Sequence, residues 1–281
     1  GLHLEQSDVQ IESVRVSEIH QSRQIGSFQA VGVTVTGGAN LISNSLSIEQ
    51  VDGTGMLQNG GSADHRSLFV SQASNAGIWI QKPSGEGQAP RVLIDSSMIE
   101  DNQLAGILVR ESSSLTIANT QLMRTEAVTT ATLFDSELVG DGVQMAGPAG
   151  EVSWDKVTIA DNERAGILLD TLDETVAEWS VSTVTVGAAD PSDGTYGVIV
   201  QGERPNSFDT IDVDTELEDN DKELQENLGV LDVRGTPSAA GAGVQGFVGE
   251  NGIVGENGFV GENGFVGENG FVGENGFVGE N

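Results

Sequence analysis

Residues 92–109, VLIDSSMIEDNQLAGILV, and residues 152–169, VSWDKVTIADNERAGILL, are two copies of one pattern. The copies lie 60 residues apart and are identical at nine of eighteen positions. Each copy contains an alternating apolar stretch, a polar Asp-Asn pair, and an Ala-Gly pair that opens a second apolar stretch. Because alternation with a period of two is typical of β-strands, the pattern predicts a repeated strand–corner–strand unit.

Weaker copies extend this pattern over the first two hundred residues, and each contains a glycine at the start of a strand. These glycines are separated by 23, 22, 29, 36, 24 and 31 residues: Gly32, Gly55, Gly77, Gly106, Gly142, Gly166 and Gly197. A shortest spacing of 22–24 residues with occasional longer gaps is typical of a coil of constant circumference with loop insertions. The spacing therefore predicts an all-β solenoid of about seven coils whose short strands stack in parallel.

The alternation also predicts which side chains fill the interior of this solenoid. In a Gly-apolar-x-apolar strand the two apolar side chains point to one face and the middle one to the other. The predicted interior pairs are Val33/Val35, Ile78/Ile80, Ile107/Val109, Val143/Met145, Ile167/Leu169 and Val198/Val200. The glycines are expected where the backbone has positive φ or where a Cβ does not fit. Asn75, Asn102 and Asn162 are expected at corners, in the left-handed region or in a side-chain ladder.

The Asp-Asn-x-x-Ala-Gly-Ile-x-[Leu/Val] units at 101–109 and 161–169 carry a resemblance to a known fold. Over residues 1 to about 202 the chain resembles the right-handed parallel β-helix superfamily, the pectate-lyase-like solenoids. Within it, the chain is most similar to bacterial exported proteins described as right-handed β-helix repeat proteins. The resemblance implies a right-handed parallel β-helix over residues 1–204, and it implies an extracellular or cell-surface location.

Two further regions follow the predicted β-helix. Residues 205–245 form an acidic segment and linker, in which the stretch 209–232 holds ten acidic residues and one Lys. Residues 246–281 repeat a hexad, GFVGEN, almost without change. This tail resembles the hexapeptide repeat of left-handed β-helices, but 12 of its 36 residues are Gly. Two interpretations therefore stay open for the tail, a short β-solenoid and a disordered extension.

The composition limits the partners and cofactors of the protein. The 281 residues include 43 acidic and 12 basic side chains, so the formal net charge is −31. Such a polyanion is repelled by DNA and RNA, which excludes nucleic acid as the expected partner. The chain contains no Cys, no run of apolar residues long enough for a membrane span, and no calcium-binding signature. We expect no cofactor, and at most weak binding of Ca²⁺ by the acidic residues.

The sequence favours a non-catalytic protein. Polygalacturonase-like members of the superfamily resemble one another in Asn-Thr-Asp, Asp-Asp and Gly-His-Gly motifs, and none of these occurs. The nearest arrangement to a lyase site is Arg110 and Glu111 at the end of one strand with Asp170 at the end of another. Strand-end charges usually mark the point where a chain meets solvent. His3, His20 and His65 show no metal-binding spacing, and Asp64-His65-Arg66 is expected in a polar surface loop.

One candidate binding surface emerges from the same strands. The middle, outward position is apolar in four coils, at Trp79, Leu108, Leu168 and Ile199. If the coils align, these side chains form an exposed apolar ladder, which is typical of a contact surface. The alternative is that other segments of the chain cover this ladder. Trp79 also has an aromatic face suited to stacking on a sugar ring.

Three functions agree with these observations. The first is an exported or cell-surface structural or adhesive protein that displays or binds a partner, either a polysaccharide or a surface protein. The second is a protein that binds or degrades a polysaccharide by lyase-like or hydrolase-like chemistry. The third is end-to-end self-association, because a solenoid without caps exposes unpaired strand edges.

Overall fold

The computed structural model describes residues 1–20, 30–83, 87–110, 113–131, 136–146, 150–171, 179–186, 196–202, 211–213 and 230–233. These residues form an all-β protein with parallel sheets, and they include no helix. The hexad tail, 246–281, and most of the acidic segment, 205–245, lie outside the described residues. The two interpretations of the tail therefore stay predictions.

The chain alternates between two sheets. In the first sheet, nine strands pair in parallel in chain order: β1 (Leu2–Glu5), β3 (Ala30–Thr36), β5 (Gly53–Asn59), β8 (Ile78–Gln81), β11 (Leu104–Arg110), β14 (Ser136–Ala146), β16 (Ala165–Thr171), β18 (Tyr196–Gly202) and β20 (Val230–Val233). A short strand, β13 (Val128–Ala131), pairs antiparallel with the start of β14.

The second sheet contains the remaining ten strands, and every pairing within it is parallel. Its strands are β2 (Asp8–Ile19), β4 (Asn40–Val51), β6 (Ser62–Arg66), β7 (Phe69–Ala73), β9 (Arg91–Asp95), β10 (Met98–Glu100), β12 (Ser114–Met123), β15 (Val152–Ala160), β17 (Trp179–Val186) and β19 (Ile211–Val213). The first half of β4 pairs with β6 and its second half with β7, so the second sheet is bent along its length.

Residues with positive φ mark this bend in repeat after repeat. They share a left-handed backbone with φ of 48–58° and are not glycines: Ser13, Ser45, Ser67, Ser96, Asn119, Lys156 and Thr183. A second such column follows five residues later at Glu18, Gln50, Gln72, Asp101, Arg124 and Asp161. The left-handed region costs an L-residue about 1–2 kcal/mol, so the tertiary structure imposes these corners.

The corner asparagines differ from the prediction in two respects. The left-handed residues are Asp101 and Asp161, one position before Asn102 and Asn162. Asn102 is buried and bridges the preceding repeat, because its Oδ1 accepts from the backbone N–H of Ala73 at 3.0 Å and its Nδ2 donates to the carbonyl of Val70. Asn102 therefore joins neighbouring repeats through backbone groups, and not through another asparagine side chain as the ladder interpretation predicts.

The seven glycines stack in one column, and their spacing equals the offset between paired strands. Register pairs such as Ile78 with Ile107 and Ile107 with Val143 place each glycine beside the next. None of the described glycines of this column has positive φ. A Cβ on Gly106 would lie 2.6 Å from the carbonyl oxygen of Gly142, and the same clash recurs along the column at 2.5–2.7 Å. Glycine is therefore required here because a Cβ does not fit.

The core lies between the inward faces of the two sheets, and the predicted interior is confirmed. Val33, Val35, Ile78, Ile80, Ile107, Val109, Val143, Met145, Ile167, Leu169 and Val198 are all at most 2% exposed. The side chain of Val200 lies outside the described residues. The second sheet contributes a matching set of aliphatic residues, among them Leu41, Ile48, Ile94 and Ile117.

The sheets extend beyond the seven repeats counted from glycines. β1 adds a strand before the one that contains Gly32, and β20 adds one after the strand that contains Gly197. β19 and β20 fall within residues 205–245, so the parallel pairing continues past position 204. β19 is Ile-Asp-Val and β20 is Val-Leu-Asp-Val. In the sequence, Gly229 stands directly before Val230, as Gly197 stands directly before Val198, the residue that pairs with Val230.

Candidate functional site

The outward face of the first sheet carries the four predicted binding residues in a single column. Trp79 pairs with Leu108, Leu108 with Gln144, Gln144 with Leu168, and Leu168 with Ile199. The alignment on which the predicted ladder depends is therefore present. Gln144 interrupts the apolar sequence between Leu108 and Leu168.

The predicted exposure of this ladder is wrong for two of its members. Leu108 is 3% exposed and Leu168 is fully buried, while Trp79 is partly buried. Leu108 packs with Ala76 and Ala105, and Trp79 lies against this small cluster. The side chain of Ile199 lies outside the described residues. The ladder is therefore largely a second apolar layer, and a binding role for it stays a prediction.

Trp79 and Arg110 form the polar edge of this face. The guanidinium carbon of Arg110 lies 5.5 Å from the centroid of the indole ring, within the range of a cation–π interaction. Arg110, Ala146 and Asp170 share a column, so the two strand-end charges are two strands apart. The side chain of Asp170 and the whole of Glu111 lie outside the described residues.

Three buried polar atoms on the outward face lack a hydrogen-bond partner among the described residues. They are the indole Nε1 of Trp79, the side-chain Oδ1 of Asn59 and the Nε2 of Gln144. Buried polar atoms are normally paired, and because these three are closed off from solvent, a ligand could reach them only if neighbouring side chains moved. The set offers two donors and one acceptor, and a hydroxyl group can satisfy either type because it both donates and accepts.

A buried ion pair lies beside this column, and sequence reasoning missed it. Arg164 donates through Nε to Oδ1 of Asp141 at 2.8 Å and through a terminal nitrogen to Oδ2, with both residues at most 4% exposed. Burial raises the pKa of Asp141, and Arg164 opposes that rise. One feature of the sequence could have indicated this ion pair. The residue directly before the glycine of the column is Asp141 in this repeat, whereas it is an alanine, Ala105 or Ala165, in the two neighbouring repeats.

The prediction that Asp64-His65-Arg66 forms a polar surface loop is wrong. These residues belong to strand β6, and His65 points inward and is fully buried. Its Nδ1 is joined to the hydroxyl of the buried Ser43 at 2.6 Å, and its Nε2 has no hydrogen-bond partner in the part of the chain that the structure describes. Burial lowers the pKa of His65 to about 4, so the ring is neutral at pH 7. The enclosed Ser–His pair is a structural feature of the core.

The other histidines are exposed and pair with carboxylates. His20 Nδ1 lies 2.9 Å from Asp52, and His3 Nε2 lies 3.9 Å from Glu5. Within the described residues no group of three or more His, Cys, Asp or Glu side chains is arranged to hold a metal ion. The same residues include no helix that is long and apolar enough to span a membrane.

No protein-family model, curated protein or solved structure matches this chain.

Proposed function

We propose that this chain is a right-handed parallel β-helix of the pectate-lyase-like kind that acts without catalysis, as an exported or cell-surface protein for display or adhesion. The observation that carries this proposal is the parallel register that runs through nine strands of the first sheet. The inner strands of the sheets, paired on both sides, and a close-packed aliphatic core make a rigid support for binding surfaces.

The charge of the molecule supports the same proposal. A net charge of −31 favours solubility in an exposed environment and association with neutral or cationic partners. Exposed acidic groups such as Asp8 and Glu12 attract Ca²⁺ only diffusely, so any calcium binding is weak. The expected partner is a polysaccharide or a surface protein.

Recognition of a polysaccharide is the second candidate, and the Trp79 face favours it. The indole ring of Trp79 is only partly buried, so part of this aromatic surface is open to solvent. Sugars offer an apolar ring face, which can stack on this aromatic surface.

A single experiment separates the candidates. The full chain is incubated with a panel of acidic and neutral polysaccharides, with retention on the polymer and release of reducing ends both measured. Retention without turnover supports a binding protein, whereas release of reducing ends would refute the non-catalytic proposal. Retention on none of the polysaccharides would leave display toward a protein partner and would rule out the second candidate.

Two variants assign any retention to the proposed face. We expect Trp79→Ala to weaken retention by about two- to twelvefold, since one stacked ring contributes about 0.5–1.5 kcal/mol. Phe69→Ala is the matched control, because Phe69 is a partly buried aromatic residue on the outward side of the other sheet. Equal losses in both variants would argue against recognition by Trp79.

A further inference from the structure

The outward side of β3, β5 and β8 carries no charged side chain beyond the glycine column. Side chains alternate between the two faces of a strand, so the residues that alternate with the buried core positions point outward. They are six uncharged residues, each partly exposed to solvent: Thr34, Thr36, Leu57, Asn59, Trp79 and Gln81. The register aligns Thr34, Leu57 and Trp79 in one column, and it aligns the other three in a second column beside it. We call these six residues the neutral face.

The neutral face differs in charge from the rest of a chain that has 43 acidic residues. The strands β4, β6 and β9 follow β3, β5 and β8 along the chain, and their outward positions include charged residues: Glu49, Asp64, Arg66, Arg91 and Asp95. Charges also bound the neutral face along the first sheet, at Glu5 in β1 and Arg110 in β11. Because an uncharged surface costs less to desolvate than a charged one, this face suits an uncharged ligand.

The accessible strip extends from Trp79 toward β3 and not toward β14. On the β11 side, the register partner of Trp79 is Leu108, which is only 3% exposed, and the guanidinium carbon of Arg110 lies 5.5 Å from the centroid of the indole ring. On the β5 side, Leu57 and then Thr34 are partly exposed. Paired strands lie about 4.8 Å apart, so the strip from Trp79 to Thr34 is about 10 Å long.

We infer that the neutral face binds an uncharged, linear polysaccharide whose chain runs along the stack of strands from β8 to β3. The inference rests on the proposed recognition of a polysaccharide at Trp79 and adds the class and the direction of the ligand. The apolar faces of the sugar rings lie on Trp79 and Leu57, while their hydroxyl groups meet the hydroxyl of Thr34 and the amide of Gln81, which both donate and accept. The net charge of −31 repels an acidic polymer from the same face.

The charge of the ligand is tested with matched pairs of polymers. Retention of the full chain is measured on soluble linear glucan, xylan and mannan and on the carboxymethylated form of each, at low and at high salt. We expect at least one neutral polymer to retain the chain more strongly than its carboxymethylated form, with the larger difference at low salt, where repulsion is least screened. Stronger retention on the carboxymethylated forms would overturn this inference alone. Retention on no polymer would overturn it together with the polysaccharide candidate.

The direction of the ligand is tested by Thr34→Val, two strands away from Trp79. This variant keeps the shape and strand preference of the side chain but removes its hydroxyl, and we expect about two- to tenfold weaker retention on the neutral polymer. Thr116→Val is the matched control, because Thr116 is a partly buried outward residue of the second sheet, and it should leave retention unchanged. Gln81→Leu, on the same strand as Trp79, is expected to weaken retention in either direction of binding. Losses in Trp79→Ala and Gln81→Leu without a loss in Thr34→Val would show a ligand that crosses the strands and would overturn the inference.

Discussion

The buried Ser43–His65 pair makes the stability of this protein dependent on pH in a defined window. His65 is fully buried, its Nε2 has no hydrogen-bond partner among the described residues, and its pKa falls from 6.5 to about 4. Between those two values the unfolded chain binds a proton that the folded chain does not. The contribution of His65 to the free energy of unfolding is therefore complete above pH 6.5 and is lost as the pH falls toward 4.

The size of the effect follows from the same two pKa values. Each pKa unit corresponds to about 1.4 kcal/mol, so protonation of His65 removes about 3 kcal/mol of stability between neutral pH and pH 4. The many carboxylates also titrate in acid, and their contribution has to be subtracted. The variant Ser43→Ala/His65→Leu serves this purpose, because it replaces the polar pair with apolar side chains of similar total volume and keeps every carboxylate.

The measurement is urea unfolding followed by circular dichroism at pH 7.5, 6, 5 and 4.5 for both proteins. We expect the two stability curves to run parallel above pH 6.5 and to diverge below it, with the unmodified protein losing more. The slope m should be equal in both, since the surface exposed on unfolding is unchanged. Parallel curves across the whole range would refute the argument, because His65 would then titrate alike in the folded and unfolded chains.

Three further predictions test the stacking of the repeats and the buried polar groups. Gly106→Ala is expected to lower the free energy of unfolding by about 1–3 kcal/mol, because its Cβ would meet a carbonyl oxygen at 2.6 Å. The control is Ala118→Ser on an outward face, which should change the free energy of unfolding by less than about 0.5 kcal/mol. Removal of one partner of the Asp141–Arg164 pair, as in Asp141→Ala, is expected to cost about 3–5 kcal/mol, while the double variant Asp141→Ala/Arg164→Leu should recover part of that loss. Asn102→Ala leaves a buried backbone N–H of the preceding repeat without its acceptor, so a loss of about 1–3 kcal/mol in chemical unfolding is expected; an unchanged midpoint would contradict the bridging role.

The strand pattern and the glycine column could be predicted because both are local properties of the chain. Ile107 and Val109 alternate with Leu108, and a period of two assigns them to the inner side of a strand before any partner is known. The glycine spacings of 22–36 residues equal the sequence offsets between paired strands. At this point of every stacked strand, a Cβ would clash with the carbonyl oxygen of the next strand, so each strand needs a glycine there. The sequence left two reasons for these glycines open, a positive φ and a lack of room for a Cβ. The described glycines of the column do not have positive φ, so the reason is the lack of room for a Cβ.

The polar parts of the chain were harder to predict because they carry no periodic signal. Asp64, His65 and Arg66 are all polar, so nothing in their order indicates that the middle one points into the core. The left-handed corners hold residues as different as Ser45 and Lys156, since their backbone angles follow from the bend of the sheet and not from residue type.

The repeats of apolar residues and glycines thus determine that the chain forms parallel strands in a shared register, and they identify the residues that fill the core. The tertiary structure alone decides that Leu108 and Leu168 are buried, that Asp141 meets Arg164, and that His65 is enclosed. The physical reason is that alternation along a strand reports only the side to which a residue points. Whether that side is exposed to water depends on side chains that come from distant parts of the sequence.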